Sequence, residues 1–349
     1  MNTKIISFTD HGVLLAKKLT EAFKEKNIRC EAYVKKKNPA LSEDARMVTE
    51  PLKEWTKKQF SETDVLIFIG AAGIAVRSIA PFVQSKKTDP AVLVMDEQGK
   101  YVIFLLSGHI GGANAMTRFV AEILGAEPVI TTATDLNGKF AVDAFAARRD
   151  LYMDSMEYAK EIAAELVAGR HVGMRSAFPV FGSVPGELDQ ERQFSVGFTI
   201  DVRENTPFSH TLHLIPRIVV LGIGCKKDTD RTHLKEMVMR TLKKYHIFSE
   251  SVCRIASIDL KKAEPALLAL ADELHVPFET YTSEELMQVR SEHEFSESDF
   301  VKSVTGVGNV CERAALKGAG AKRLLIPKTA CDGVTVAAAA MDYTVCMEE

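Results

Sequence analysis

One short stretch of the chain combines a histidine with serine, asparagine and three glycines. Residues 106–114 read LSGHIGGAN, after an apolar run typical of a strand and before a helical pattern. Its polar and glycine positions are Ser107, Gly108, His109, Gly111, Gly112 and Asn114. Glycines let a ligand approach the main chain, and imidazole can move a proton near neutral pH. His109 is therefore a candidate general base, although a histidine that caps the helix or packs in its neutral form has the same sequence signature.

A second glycine turn, at residues 69–73, leads from an apolar run into another helix. Gly70 and Gly73 permit the tight turn, and the N–H groups at the start of the helix point outward. Arg77 follows in the first turns, where a cation opposes the helix dipole, and Arg118 lies similarly beyond the 106–114 stretch. A bound anion would remove the conflict at Arg77. A guanidinium that reaches solvent or a neighbouring carboxylate is the alternative.

Two glycine loops in the second half resemble dinucleotide-binding loops until the spacing is counted. In the first loop, at residues 222–227, Lys227 stands where the motif G-x-G-x-x-G requires its third glycine. In the second loop, at residues 306–311, Cys311 stands at that position. This mismatch disfavours an NAD- or FAD-binding site. Lys226 and Lys227 bring two ammonium groups that suit carboxylates or phosphates, with a solvated charge pair as the alternative. Lys328 is expected near the same loops, because it lies at the end of a predicted strand that finishes in Pro-Lys. The candidate binding residues of this half are Gly224, Lys226, Lys227, Gly306, Gly308, Asn309 and Lys328.

The elements that must position these loops alternate between strand and helix. This pattern predicts an α/β fold: two mainly parallel α/β domains at residues 1–127 and 217–349, flanking a smaller α+β middle domain at 128–216. Residues 91–95 and 101–105, on either side of Gly99, predict a hairpin. Ligands of open α/β sheets bind beyond the carboxyl ends of the strands. We therefore expect the loops to lie at such edges and to share one cleft.

Composition excludes several classes of protein. The 349 residues carry 44 Lys plus Arg against 47 Asp plus Glu, a net charge of −3 that disfavours a nucleic-acid binder. The most apolar run, residues 65–76, is shorter than the roughly 18 residues of a membrane span, and no secretory segment develops, so we expect a cytoplasmic protein without membrane contact. Six cysteines without a CxxC pair predict reduced thiols and no metal site.

The loops, taken in order, resemble a known family. Residues 107–114, continued by PVITTATD at 128–135, resemble the N-terminal domain of the cobalt-precorrin-5A hydrolases (the CbiG type) of anaerobic cobalamin biosynthesis. The C-terminal domain of that family is similar to GIGC at 222–225, TGVGNVCE at 305–312, and PK at 327–328 followed by GVTVA at 333–337. The resemblance covers nearly the whole chain, and the middle segment matches mainly in position.

The resemblance implies a hydrolase acting on a carbon–carbon bond. Water would open the ring-A δ-lactone of cobalt-precorrin-5A, and a two-carbon unit would leave as acetaldehyde, giving cobalt-precorrin-5B. The cobalt belongs to the substrate, so no further cofactor is expected. The sequence leaves open whether the chain forms a homodimer and whether it makes transient contacts with other corrin-pathway enzymes.

The mechanistic hypothesis places the base in the first loop. His109, or a carboxylate near it such as Asp96, would deprotonate water, while N–H groups of residues 108–112 hold the oxyanion. The side chains expected to clamp the peripheral carboxylates are Arg77, Arg118, Lys226, Lys227 and Lys328. The alternative is a non-catalytic carrier of corrinoid intermediates, and a nucleotide-dependent enzyme rests on the glycine loops alone.

Overall fold

Strands that are buried on both faces build the first sheet of the molecule. The computed structural model describes residues 1–37, 45–85, 88–108, 111–132 and 138–348, which divide into two units, Met1–Ala147 and Arg148–Glu349. The elements of the first unit are β1 (Asn2–Ser7), α1 (Asp10–Glu25), β2 (Arg29–Val34), β3 (Arg46–Met47), α2 (Leu52–Glu62), β4 (Val65–Ile69), α3 (Ala72–Ile79), β5 (Ala91–Met95), β6 (Tyr101–Leu106), α4 (Ala113–Leu124), β7 (Glu127–Val129) and, at the boundary, α5 (Val142–Arg148).

The seven strands of this sheet follow the order β3-β2-β1-β4-β5-β6-β7. All neighbours are parallel except β5 and β6, which pair antiparallel with Met95 opposite Val102. Helices α1 and α4 share one apolar core cluster on the sheet, and α2 and α3 share another. Helices therefore cover both faces, as expected of a parallel sheet.

The hairpin predicted around Gly99 is confirmed, and it has a consequence for the loops. Because β6 runs antiparallel to β5, the loop after β6 lies at the opposite edge of the sheet from the loops after β1, β4 and β5. The described residues 107–108 and 111–114 thus follow the carboxyl end of β6, at the opposite edge of the sheet from residues 70–73.

The second unit contains two five-stranded sheets. Its elements are β8 (Leu151–Met153), α6 (Met156–Val167), β9 (Val172–Ser176), β10 (Val180–Phe181), β11 (Leu188–Asp189), β12 (Val196–Ile200), β13 (His210–Pro216), β14 (Val219–Cys225), α7 (Arg231–Lys244), β15 (Val252–Ile258), α8 (Pro265–Leu274), β16 (Phe278–Tyr281), α9 (Ser283–Met287), α10 (Asp299–Thr305), α11 (Val310–Ala319), β17 (Leu324–Cys331), β18 (Val334–Ala340) and β19 (Val345–Cys346). The sheet orders are β11-β9-β12-β13-β8 and β16-β15-β14-β18-β17, and β10 pairs with β19.

In the last sheet, β14, β15 and β16 are parallel, and β18 is antiparallel to both β14 and β17. The predicted strand end at Pro327-Lys328 is wrong, since β17 continues to Cys331 with its pairing register shifting between Ile326 and Thr329. Proline has no N–H to donate, so it is tolerated here because β17 is an edge strand.

The prediction of an α/β chain with mainly parallel sheets is confirmed, while the division into three domains stays a prediction. No helix in the part of the chain that the structure describes is long and apolar enough to span a membrane.

Candidate functional site

The loop after β6 is held at the amino end of β5. The Ser107 hydroxyl donates to the Asp89 carbonyl at 3.0 Å, and Ser107 has a left-handed backbone with φ of +58°. Its neighbours His109 and Ile110 lie outside the described residues. The structure thus locates the loop without locating the predicted base.

Asp96 lies at the other end of β5, directly after Met95. Its carboxylate accepts hydrogen bonds from the main-chain N–H groups of Gln98 (2.8 Å), Lys100 (3.0 Å) and Tyr101 (2.7 Å), which close the turn into β6. The whole of β5 stands between Asp96 and the 107–114 loop, about 17 Å at 3.4 Å per residue. The expectation that Asp96 lies near this loop is therefore wrong, because β5 and β6 are antiparallel.

Close packing explains two glycines of the 107–114 loop. A Cβ at Gly108 would stand 2.9 Å from Asn114 Oδ1, and one at Gly111 would stand 2.4 Å from Ser107 Cβ. Gly112 is left-handed, with φ of +76°, and forms the N-cap of α4. Asn114 is buried and donates from Nδ2 to Thr132 Oγ1 at 2.9 Å, whereas Arg118 is exposed on α4. These contacts hold the described residues 107–108 and 111–114 close together.

The loops after β1, β4 and β5 meet at one edge of the first sheet, where the strand order changes direction. A Cβ at Gly12, in the first turn of α1, would lie 3.3 Å from Ile69 Cγ2, and one at Gly70 would lie 3.0 Å from the Phe8 ring. The Gly70 N–H donates to the Met95 carbonyl at 2.8 Å. Helices α1 and α3 leave this edge to opposite faces. Ligands of α/β proteins commonly bind in the crevice at such a switch in strand order. We call this edge the switch-point crevice and define it by residues 8–12, 70–73, 77 and 96–97.

Two side chains of the switch-point crevice have unused hydrogen-bonding capacity. His11 is exposed, and its Nδ1 hydrogen-bonds to the Glu97 carbonyl. Arg77 is also exposed, and its Nη1 is 3.3 Å from where a Cβ of Gly73 would stand, so the guanidinium folds back towards the first turn of α3. Among the described residues no carboxylate forms an ion pair with Arg77. Gly70, Gly73 and Arg77 are thus brought together as predicted.

His11 is not among the residues predicted from the sequence. It belongs to the run Asp10-His11-Gly12 immediately after the first strand. In sequence this run indicates only a strand-to-helix turn, since the importance of that turn depends on a strand order that the sequence does not reveal.

In the second unit, α11 lies directly on β14. A Cβ at Gly222 would stand 1.8 Å from the Cys311 carbonyl oxygen, and one at Gly318 would stand 2.9 Å from Val220 Cγ1. The helix therefore runs antiparallel to β14, and its first turn lies at the carboxyl end of the strand. Burial raises the pKa of the Cys311 thiol to about 11.

Four residues around this helix start form a network that we call the cap cluster: Ser296, Asn309, Glu312 and Lys328. Asn309 caps α11 by accepting from the Glu312 N–H at 3.0 Å, and its Nδ2 donates to the Ser296 carbonyl at 3.1 Å and to the Glu312 carboxylate. The Lys328 N–H donates to Glu312 Oε1 at 2.8 Å, and the Lys328 ammonium donates to the Ser296 carbonyl at 2.9 Å. Buried Glu312, 4 % exposed, thereby obtains donors on both carboxylate oxygens.

The remaining predicted residues of the second unit lie around the same sheet edge. Gly224 accepts at its carbonyl from Thr335 Oγ1 at 3.2 Å, and a Cβ at Gly308 would overlap the Glu297 carboxylate. Gly306 is left-handed and ends α10. Lys226 and Lys227 are exposed, with the Lys226 stem against Gly333. The structure therefore brings Asn309 and Lys328 together through the Ser296 carbonyl, while Gly224 contacts Thr335 and Gly308 contacts Glu297.

Comparisons with known proteins agree with this architecture. The family model for the Cobalamin synthesis G N-terminal domain (CbiG_N) matches residues 54–135, and the model for the Cobalamin synthesis G C-terminus (CbiG_C) matches residues 219–339, together more than half of the chain.

Curated relatives cover most of the chain as well. A cobalt-precorrin-5A hydrolase of Salmonella typhimurium is 40% identical over 272 residues, which are 74% of this chain and 77% of that protein. A cobalt-precorrin-5A hydrolase of Priestia megaterium is 30% identical over 97% of this chain and 95% of that protein. Protein CobE of a Sinorhizobium species is 32% identical over 31% of this chain and 70% of that protein. The chain belongs to the CbiG family, the family of the cobalt-precorrin-5A hydrolases.

Proposed function

We propose that this chain hydrolyses the ring-A δ-lactone of cobalt-precorrin-5A and releases acetaldehyde, giving cobalt-precorrin-5B. The observation that carries the proposal is its 40% identity to a curated cobalt-precorrin-5A hydrolase over 77% of that protein. The chain is thus an enzyme of cobalamin biosynthesis, a hydrolase acting on a carbon–carbon bond.

The reaction requires a base, because water must lose a proton as it attacks the lactone carbonyl. A positioned base contributes about 10²- to 10⁴-fold to the rate. His109 stays a predicted base, and the N–H groups of residues 108–112 stay predicted oxyanion donors. Asp96 already accepts three main-chain hydrogen bonds, so in this proposal it closes the turn before β6.

The substrate requires cations, because acetate and propionate carboxylates surround its ring. Exposed guanidinium and ammonium groups can bind such carboxylates. The exposed candidates are Arg77, Arg118, Lys226 and Lys227. Lys328 is the least accessible of the predicted cations, since its ammonium already donates to the Ser296 carbonyl.

The substrate brings its own cobalt, and the proposal includes no other cofactor. A cytoplasmic location, and contacts with a second copy or with other enzymes of the pathway, belong to the proposal as the sequence suggested them. The shared cleft stays a prediction.

The experiment incubates the purified chain with enzymatically prepared cobalt-precorrin-5A and measures acetaldehyde and the mass of the corrinoid product. We expect one acetaldehyde per molecule of substrate consumed, because both come from one bond cleavage. A carrier would change the absorption spectrum of the corrinoid without releasing acetaldehyde above background, and that result would overturn the proposal.

A further inference from the structure

We propose that His11 is the general base that deprotonates the attacking water, and that the chemistry takes place in the switch-point crevice. The inference rests on the proposed function, since it assigns a residue to that reaction.

The position of His11 is fixed by three elements of the first sheet. The residue lies in the first turn of α1, whose Thr9 N-cap accepts the Gly12 N–H at 3.0 Å. Gly12 packs against Ile69 at the end of β4, and the His11 ring contacts Glu97, two residues beyond β5. The imidazole therefore lies where the carboxyl ends of β1, β4 and β5 meet, which is where α/β sheets bind their ligands.

The hydrogen bond to Glu97 determines which ring nitrogen can act as a base. A main-chain carbonyl only accepts, so Nδ1 of His11 must carry the proton. In the neutral ring Nε2 then holds the free lone pair, and it has no hydrogen-bond partner in the part of the chain that the structure describes. The protein thus fixes the tautomer and orientation of an exposed imidazole and leaves its basic nitrogen free.

The surroundings of His11 suit a flat ring with peripheral carboxylates. The exposed Arg77 guanidinium, without an ion pair among the described residues, supplies a cation at the same crevice. Leu14 is 49 % exposed, and lies three residues after His11 on the same side of α1. The half-exposed ring of Phe8 lies against Gly70. Apolar contact area and a charge for a carboxylate therefore accompany the base.

The chemical steps assign proton transfers to His11 in both halves of the reaction: two in the opening of the lactone and one in the release of the aldehyde. Nε2 takes a proton from water while the water oxygen bonds to the carbonyl carbon of the lactone. The tetrahedral oxyanion then collapses, and the bond from this carbon to the oxygen of the lactone ring breaks. That oxygen leaves as an alcohol with the proton from Nε2. The freed alcohol next gives its proton to Nε2 as its C–O bond becomes C=O. The carbon–carbon bond to the macrocycle breaks, its electron pair enters the conjugated ring, and that ring takes up a proton.

This assignment competes with His109. The described residues before and after it, Ser107 and Gly111, follow β6 at the opposite edge of the same sheet from His11. Variants of the two histidines distinguish the two assignments.

The test compares His11→Asn with wild type in the acetaldehyde assay on the full chain. The asparagine amide can still donate to the Glu97 carbonyl, so a purely structural role survives the substitution, whereas the basic nitrogen is lost. We expect kcat to fall at least about 100-fold with KM and the free energy of unfolding unchanged. The control is His293→Asn, an exposed loop histidine of the second unit, which we expect to behave as wild type.

A second variant keeps the test decisive if His11→Asn is less stable. In His11→Ala we expect added imidazole to raise kcat in proportion to its concentration, since free imidazole replaces the base but not a structural contact. Near-normal kcat in His11→Asn, or the absence of rescue in His11→Ala, would overturn the assignment. A loss in His109→Asn with none in His11→Asn would move the base to the other loop. Failure of wild type to release acetaldehyde would instead overturn the proposed function.

Discussion

The switch-point crevice and the cap cluster both lie at the carboxyl edge of a mainly parallel sheet, yet they use their polar groups differently. In the cap cluster, Glu312, Asn309 and Lys328 bond to one another and to Ser296. In the crevice, His11 uses one ring nitrogen and Arg77 forms no ion pair within the described residues. Buried polar groups must be satisfied by the protein, whereas exposed groups with spare capacity can bind a ligand. The difference supports our proposal that the reaction takes place in the switch-point crevice, and it indicates that the cap cluster stabilises the fold.

The largest effect expected in the cap region follows from the contact between α11 and β14. In Gly222→Ala the new methyl would stand 1.8 Å from the Cys311 carbonyl oxygen, so the helix must move off the strand. We expect the free energy of unfolding to fall by about 3 kcal/mol, measured by urea denaturation. The control is Gly186→Ala, where no atom lies within 4 Å of the new Cβ. Equal stability of both variants would show that the α11 contact is looser than described.

A smaller loss is expected within the cap cluster itself. Glu312→Gln replaces a carboxylate oxygen by an NH₂ group, which then faces a donor, either the Lys328 N–H or Asn309 Nδ2. We expect about 2 kcal/mol less stability in urea denaturation, with kcat unchanged. A large loss of kcat at unchanged stability would contradict the structural role of this cluster.

In the switch-point crevice we expect the opposite pattern for Arg77. Arg77→Ala removes a guanidinium that forms no ion pair with any described residue, so we expect the free energy of unfolding to stay unchanged. If the guanidinium binds a substrate carboxylate, KM should rise about tenfold, which corresponds to about 1.4 kcal/mol. Steady-state acetaldehyde release measures KM, and Lys53→Ala, an exposed cation of α2, is the control. Unchanged KM would remove Arg77 from the binding site.

The smallest expected effect concerns the reactivity of the Cys311 thiol, in the first turn of α11, at pH 8. Burial raises the pKa of Cys311 to about 11, and the thiolate is the reactive form. Below that pKa the thiol stays protonated, so native Cys311 should resist iodoacetamide at pH 8, while the urea-unfolded chain should be alkylated there. Peptide mass mapping measures both. Rapid alkylation of the native protein would show that the first turn of α11 is open to solvent.

The sequence predicts the elements better than the places where their ends meet. The hairpin around Gly99 and the parallel strands are visible in local apolar patterns and turn residues. The pattern also predicts the close neighbourhood of Gly70, Gly73 and Arg77, since all three belong to one strand-to-helix turn.

What the sequence does not reveal is the order and direction of the strands. The hairpin places the 107–114 loop at the far edge of the sheet, and this separates Asp96 from it. For the same reason the sequence gives no ground for selecting His11. Its proposed role depends on β1 lying beside β4, and this pairing is seen only in the structure. Lys328 looks like a free cation in sequence, but its ammonium reaches the Ser296 carbonyl, 32 residues away along the chain.

The most direct test of the account is a side-by-side measurement of kcat for acetaldehyde release in His11→Asn and Glu312→Gln. We expect kcat to fall at least about 100-fold in His11→Asn with the free energy of unfolding unchanged. In Glu312→Gln we expect near wild-type kcat despite the lower stability of that variant. A loss of turnover in Glu312→Gln, together with near wild-type turnover in His11→Asn, would contradict the proposal that the reaction takes place in the switch-point crevice.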